Sequence, residues 1–205
     1  METHTPTPDG KVPFEYLLII SPDQDVFEKL VNIKQHFKEA YQCRFAAHLK
    51  PHITLVRFFQ LEEREPLIKE KFQNLSNGVS PIQIELDGFG QFPTHTVFAD
   101  VKTQEPIKNI VDGIKSQFQE LLRLGKKFTP HFSTKPHMTI ARRMTEEQFR
   151  RAWEDWQDQP LHAAFLADEM VLLKKQWTQE GRPIGPYTIA GTFPFRGKTG
   201  GGTAE

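Results

Sequence analysis

A seven-residue pattern occurs twice in this sequence. The first copy is Pro51-His52-Ile53-Thr54-Leu55-Val56-Arg57 and the second is Pro136-His137-Met138-Thr139-Ile140-Ala141-Arg142. Pro, His, Thr and Arg agree, and the places between them are apolar in both copies. The bare tripeptide His-x-Thr is weak evidence, expected about 0.6 times by chance at this composition. The full pattern is not expected twice. Each copy reads as a strand that begins on a histidine, so the fold must house two like strands in like surroundings.

The elements around the two copies repeat as well. Residues 14–20 (FEYLLII) read as a buried strand, and Ser21-Pro22 offers a cap and a first-turn proline. Over 25–41, Val26, Leu30, Ile33, Phe37 and Tyr41 fall on one helix face, with Asp23 and Asp25 as N-terminal charges. The His52 strand (52–59) comes next, then a helix from Pro66 ended by Asn77-Gly78, then an alternating strand over 82–89. The order then restarts with a strand at 96–102, a helix from Pro106 closed by Gly125, and the His137 strand (137–143). Thr145 and Gln148 have capping-box spacing before a short helix, and strands at 168–177 and 187–195 close the chain around loop 179–186.

Strand, helix, strand, helix, strand thus occurs twice. The expected fold is α+β: a bilobal, duplicated architecture in which two antiparallel sheets face a central cleft, with helices on the outer faces. A single domain over 14–195 would hold lobes of roughly 14–95 and 96–195, with strand exchange between them allowed. Residues 1–13 and 196–205 are expected to be flexible ends.

Composition narrows the function. Lys plus Arg number 26 and Asp plus Glu number 26, so the net charge is zero. That argues against a broad basic surface for coating a nucleic acid. The balance conceals an asymmetry, because residues 1–95 hold 10 basic and 13 acidic groups and residues 96–205 hold 16 and 13. Eight basic residues fall within 121–151, and the loop 126–135 among them is a candidate positive rim. The single cysteine, Cys43, excludes an internal disulfide and any multi-cysteine zinc site. No apolar run reaches the roughly 20 residues of a membrane span. The polar start carries no signal-peptide core, so a cytoplasmic chain with no membrane partner is expected.

In a strand, residues two apart share a face. His52 and Thr54 therefore point together, as do His137 and Thr139. Two lobes face to face would present two imidazoles and two hydroxyls across one cleft. One imidazole can accept a proton while the other donates, and hydroxyls can hold an anionic oxygen. This set, with arginines nearby, suits phosphodiester chemistry without a metal.

On these motifs the chain resembles the 2H phosphoesterase superfamily, and within it the 2′-5′ RNA ligase / RNA 2′,3′-cyclic phosphodiesterase family, over about residues 14–195. The resemblance implies that His52 and His137 are the catalytic pair and that Thr54, Thr139 and Arg142 bind phosphate. It implies no cofactor, and a substrate that is a 2′,3′-cyclic phosphate on an RNA end or a nucleotide. Reverse 2′-5′ ligation is the same chemistry run backwards, and a monomer is expected. Strict strand alternation disagrees at one point: it puts Arg143, not Arg142, on the His137 face, and Arg57 opposite His52. A bulge or strand end after Ala141 would turn Arg142 inward.

Other residues rank below these. His131-Phe132-Ser133 fits His-x-Ser but lacks the proline and the apolar run. His48 and His52 have helical metal-pair spacing, which Pro51 makes unsuitable. Phe98 suits the core, Phe92 could stack a base, and His95 and Tyr187 have no assignable role. Two rival functions stay open: a module that captures RNA ends or nucleotides without turnover, and a phosphodiesterase for a small cyclic metabolite. Intact His and Thr in both copies weigh against mere capture.

Overall fold

Nine strands and four helices, with one 3-10 turn, make up the described residues of a computed structural model: 11–45, 50–178 and 180–197. The expected flexible ends fall mostly outside these residues, as does His48. The strands are β1 (Phe14–Ile20), β2 (Ile53–Gln60), β3 (Ile82–Phe92), β4 (Thr96–Val101), β5 (His131–Phe132), β6 (His137–Ala141), β7 (His162–Ala167), β8 (Glu169–Trp177) and β9 (Pro183–Pro194). The helices are α1 (Gln24–Ala40), α2 (Glu65–Ser76), α3 (Glu105–Leu122) and α4 (Glu146–Trp156).

The pairing order is β7-β3-β4-β6-β2-β1-β8-β9, with β5 also on β2, and every pairing is antiparallel. Two four-stranded halves meet at one register pair, Ile53 against Met138, where β2 touches β6. Helices α1 and α4 pack against the β7-β3-β4-β6 half, and α2 and α3 against the other. The α+β, duplicated architecture is therefore present.

The two halves of the sheet are not the two halves of the sequence. Strand β3 pairs with β4 and β7, and β8 pairs with β1, so each half takes strands from both ends of the chain. Helix α1 comes after β1 in sequence yet packs against β6 and β7 across the junction. This interlocking places a helix of the first copy behind the motif of the second.

Local chemistry explains most elements. Val26, Leu30 and Phe37 on α1 are buried, and Ile82, Ile84 and Leu86 on β3 alternate with exposed Gln83, Glu85 and Asp87. Tyr16 stacks on Phe58 with ring centroids 5.1 Å apart, and Phe72 lies 5.8 Å from Phe193, so aromatic rings fill much of the core. The Thr145–Gln148 capping box forms with both of its hydrogen bonds.

Some boundaries differ from expectation. Asp23, not Ser21, caps α1, because its carboxylate accepts the Val26 N–H at 2.9 Å, and Pro22 precedes the helix. Gly125 does not close α3. The helix ends at Leu122, and Gly125, at φ +62°, turns the chain so that Leu124 and Phe128 exchange backbone hydrogen bonds. Strand β9 begins at Pro183, inside the expected loop. Strands β5 and β7 have no clear sequence pattern. In β7 (HAAFLA), small and helix-favouring residues take up a strand because β3 offers them an open edge.

Candidate active site

The Ile53–Met138 pair is a local pseudo-dyad. Both side chains are fully buried, pointing into the core. Antiparallel register about that pair sets His52 across from Thr139 and Thr54 across from His137. These four residues share the opposite face and line one cleft of about 530 Å³. Arg57, Arg142, Arg143, Lys50, Lys175, His131 and Ser133 also line it.

The two imidazoles are tethered alike. His52 Nδ1 lies 2.7 Å from the Lys50 carbonyl, and His137 Nδ1 lies 2.8 Å from the Lys135 carbonyl. A carbonyl only accepts, so each Nδ1 carries the hydrogen, and Nε2 is the nitrogen left for a ligand. Lys50-Pro51 and Lys135-Pro136 extend the duplicated pattern by one residue at its start. Each proline fixes the backbone between a histidine and the carbonyl that holds it.

The arginines reach the cleft through a second shared device. In the pairing of β1 with β2, Leu18 faces Val56 and Ile19 faces Thr54, so Leu55 is an extra residue. In the pairing of β4 with β6, Val97 faces Ala141 and Phe98 faces Thr139, so Ile140 is extra. Each copy thus carries a bulge at the same place, and all four residues Leu55, Val56, Ile140 and Ala141 are buried in the core. A bulge inverts the facing of the residues after it. Arg142 therefore joins His137 and Thr139, as the bulge alternative required, and Arg143 (φ +55°) lies at the strand end and also lines the cleft. Arg57 is corrected: it lines the His52 side rather than the opposite one. The signal was present as two consecutive apolar residues, Leu55-Val56 and Ile140-Ala141, which break alternation in both copies.

The surroundings of the two copies differ. Phe92 and Phe98 each hold their ring centroid 5.0 Å from that of His137, so Phe92 packs on the imidazole. Asp100 faces His137 across the β4–β6 ladder and pairs with Lys102 and Lys135. On the other side, the buried Glu15 accepts from Trp177 Nε1 at 3.2 Å and lies 3.6 Å from Arg57. Tyr187 hydrogen-bonds Glu15, and its phenol is pushed well up by burial and then by that carboxylate. No local pattern marks Glu15, Lys175, Trp177 or Tyr187, which arrive from β1, β8 and β9. The loop 126–135 contributes His131 and Ser133 to the lining, while Lys126 and Lys127 are exposed and lie outside it.

Burial lowers both histidine pKa values. His52 falls to about 4, with Lys34, Arg142 and His137 adding positive charge and the Lys50 carbonyl opposing. His137 is lowered by burial and by Lys135, against its carbonyl tether and Asp100. Both imidazoles are thus pushed toward the neutral form, which offers an Nε2 lone pair, among several cations.

The fold matches solved structures. TT0787 of Thermus thermophilus superposes with a TM-score of 0.63 at 20% identity, covering 90% of this chain and 100% of that one. E. coli LigT complexed with 3′-AMP gives 0.65 at 16% identity, covering 89% and 98%. LigT complexed with phosphate gives 0.63 at 16%, covering 90% and 99%. No curated protein matches by sequence. Among the described residues no helix is long and apolar enough to cross a membrane. The family model for the 2′-5′ RNA ligase superfamily matches residues 22–178, which span both histidine motifs and more than half of the sequence, and the chain belongs to that superfamily.

Proposed function

We propose that this protein is a metal-independent phosphoesterase that opens 2′,3′-cyclic phosphates, on RNA ends or nucleotides, to 2′-phosphates. The observation that carries this reading is the identical tethering of two imidazoles in one cleft, each with Nε2 left for chemistry. One Nε2 takes a proton from water as its oxygen bonds to phosphorus. The P–O3′ bond breaks, and the opposite imidazolium gives its proton to the leaving ribose oxygen. Thr54 and Thr139 donate hydrogen bonds to the equatorial oxygens, and Arg142 balances their charge. With a ribose 5′-hydroxyl in place of water as the nucleophile, the same steps join RNA ends through a 2′-5′ linkage, again breaking P–O3′. The 3′-AMP and phosphate held by LigT are ligands of the class this cleft suits. The protein is proposed to act as a monomer in the cytoplasm.

Incubation with 2′,3′-cyclic nucleotides, and with RNA ending in a cyclic phosphate, in excess chelator tests this directly. Formation of 2′-phosphates is expected. Strict dependence on added metal would overturn the mechanism, and tight binding without turnover would favour a capture module instead.

The floor under His137 gives a second expected result. A Cβ on Gly90 would run into the Phe98 ring, which packs under that imidazole. Gly90→Ala is expected to lower stability by about 1–3 kcal/mol, as overpacking does, and to reduce kcat more than it raises KM. A thermal melt with steady-state kinetics checks both, and wild-type values for both would contradict the role of Phe98.

A further inference from the structure

The carbonyls freed by the two bulges find unlike partners. The Leu55 carbonyl accepts the Ser133 backbone N–H at 2.9 Å. Its counterpart, the Ile140 carbonyl, accepts from Lys34 Nζ at 3.3 Å, and the same ammonium donates to the Thr139 carbonyl at 2.8 Å. Lys34 stands on the apolar face of α1, between Leu30 and Phe37, and is 2% exposed. Among the described residues no carboxylate lies within ion-pair distance of it.

A buried ammonium without an anion is costly, and it normally persists only where a partner compensates it. Of the titratable groups facing Lys34, Arg142 at the end of β6 adds positive charge, His52 at the start of β2 is itself held unprotonated, and the Cys43 thiol after α1 acts in the opposite sense to Arg142. The hydrogen bonds alone do not call for a charge, because a neutral amide satisfies the equivalent bulge in the first copy. What an ammonium adds is positive charge directly behind Thr139.

We propose that Lys34 is a positioning residue of this site: it clamps the β6 bulge that turns Arg142 into the cleft, and its missing counter-charge is the phosphate of the ligand. The inference rests on the phosphoester reading above. Burial, and then Arg142, lower the Lys34 pKa to about 8, so it remains mostly protonated at neutral pH. Its charge in turn helps hold His52 unprotonated. By linkage, an anion bound in the cleft must raise the Lys34 pKa, as Lys34 strengthens binding of that anion.

The test compares wild type with Lys34→Met, using Lys29→Met, an exposed lysine on the same helix, as a control expected to match wild type. Lys34→Met is expected to lose about 10²-fold in kcat/KM for a 2′,3′-cyclic nucleotide, as small misplacements at a reacting centre do. Inorganic phosphate should bind it more weakly, and the His52 pKa, followed by imidazole NMR, should rise because a neighbouring cation has gone. Wild-type kinetics, or lost activity with His52 unmoved, would overturn the proposal. If Lys34→Met does not fold, the side-chain NMR titration of Lys34 in wild type decides. A rise in its pKa on saturation with inorganic phosphate supports the proposal, and no change overturns it. Absence of wild-type turnover would instead count against the phosphoesterase reading, which the phosphate titration does not assume.

Discussion

Replacement of either His52 or His137 by alanine is expected to lower kcat for 2′,3′-cyclic phosphate opening by about 10²–10⁴-fold, the usual worth of a positioned acid or base. The double variant should be little worse than either single one, because a proton taken on one side must be matched by one given on the other. The pH profile carries the same information. The productive free enzyme has one imidazole neutral and one charged, so kcat/KM peaks between the two macroscopic pKa values of the pair. Both histidines are held below the ordinary 6.5, and His52 lies near 4. The optimum for kcat/KM is therefore expected on the acid side of 6.5, with activity lost above it as the acid partner deprotonates and below it as the base protonates. The kcat optimum should lie higher, because a bound phosphate anion favours imidazolium and raises both values. Full activity in either alanine variant, or a kcat/KM optimum above about pH 7, would contradict the two-histidine mechanism.

The two arginines are expected to behave differently despite occupying the same place in the two motifs. Arg57 lies 3.6 Å from the buried carboxylate of Glu15, whereas Arg142 has no carboxylate within ion-pair distance among the described residues. A guanidinium already matched to a carboxylate has less charge to offer a phosphate. Arg142→Ala is thus expected to lower kcat/KM by about 10²-fold, the scale for losing a preorganised donor to developing negative charge, while Arg57→Ala should cost less than about tenfold. Arg57→Ala should instead lower the melting temperature, because it leaves Glu15 buried with less compensation. Steady-state kinetics and melts of both variants separate these cases. Equal kinetic losses would mean that Glu15 does not distinguish the two sides of the cleft.

Much of this arrangement was legible in the chain. The apolar spacing of Val26, Leu30 and Phe37 marked α1, the alternation of Ile82, Ile84 and Leu86 marked β3, and the capping box at Thr145 marked the start of α4. The duplicated pattern marked His52, Thr54, His137 and Thr139, because strand pleat alone puts His and Thr of each copy on one face. Arg142 and Arg57 were harder. Their facing depends on an extra residue in each ladder, and the Leu55-Val56 and Ile140-Ala141 pairs that reveal it also fit an ordinary buried strand. Strand β7 was harder still, since its Ala, Leu and His carry no strand preference and it exists because β3 has an unpaired edge.

What the sequence determined by itself is local: helix faces, strand alternation, caps, and two short motifs whose periodicity puts an imidazole and a hydroxyl side by side. Only the tertiary structure decided how the copies meet. The Ile53–Met138 pair joins two strands far apart in the chain and sets each histidine across from the threonine of the other copy. Glu15 and Tyr187 come to the cleft from β1 and β9, and Lys34 comes to the back of β6 from α1, through an exchange of strands and helices between halves that no local pattern encodes. Periodicity reports which way a side chain faces within its own element. It does not report which other element lies in front of it, and at this site those neighbours supply the carboxylate beside Arg57 and the cations beside His52.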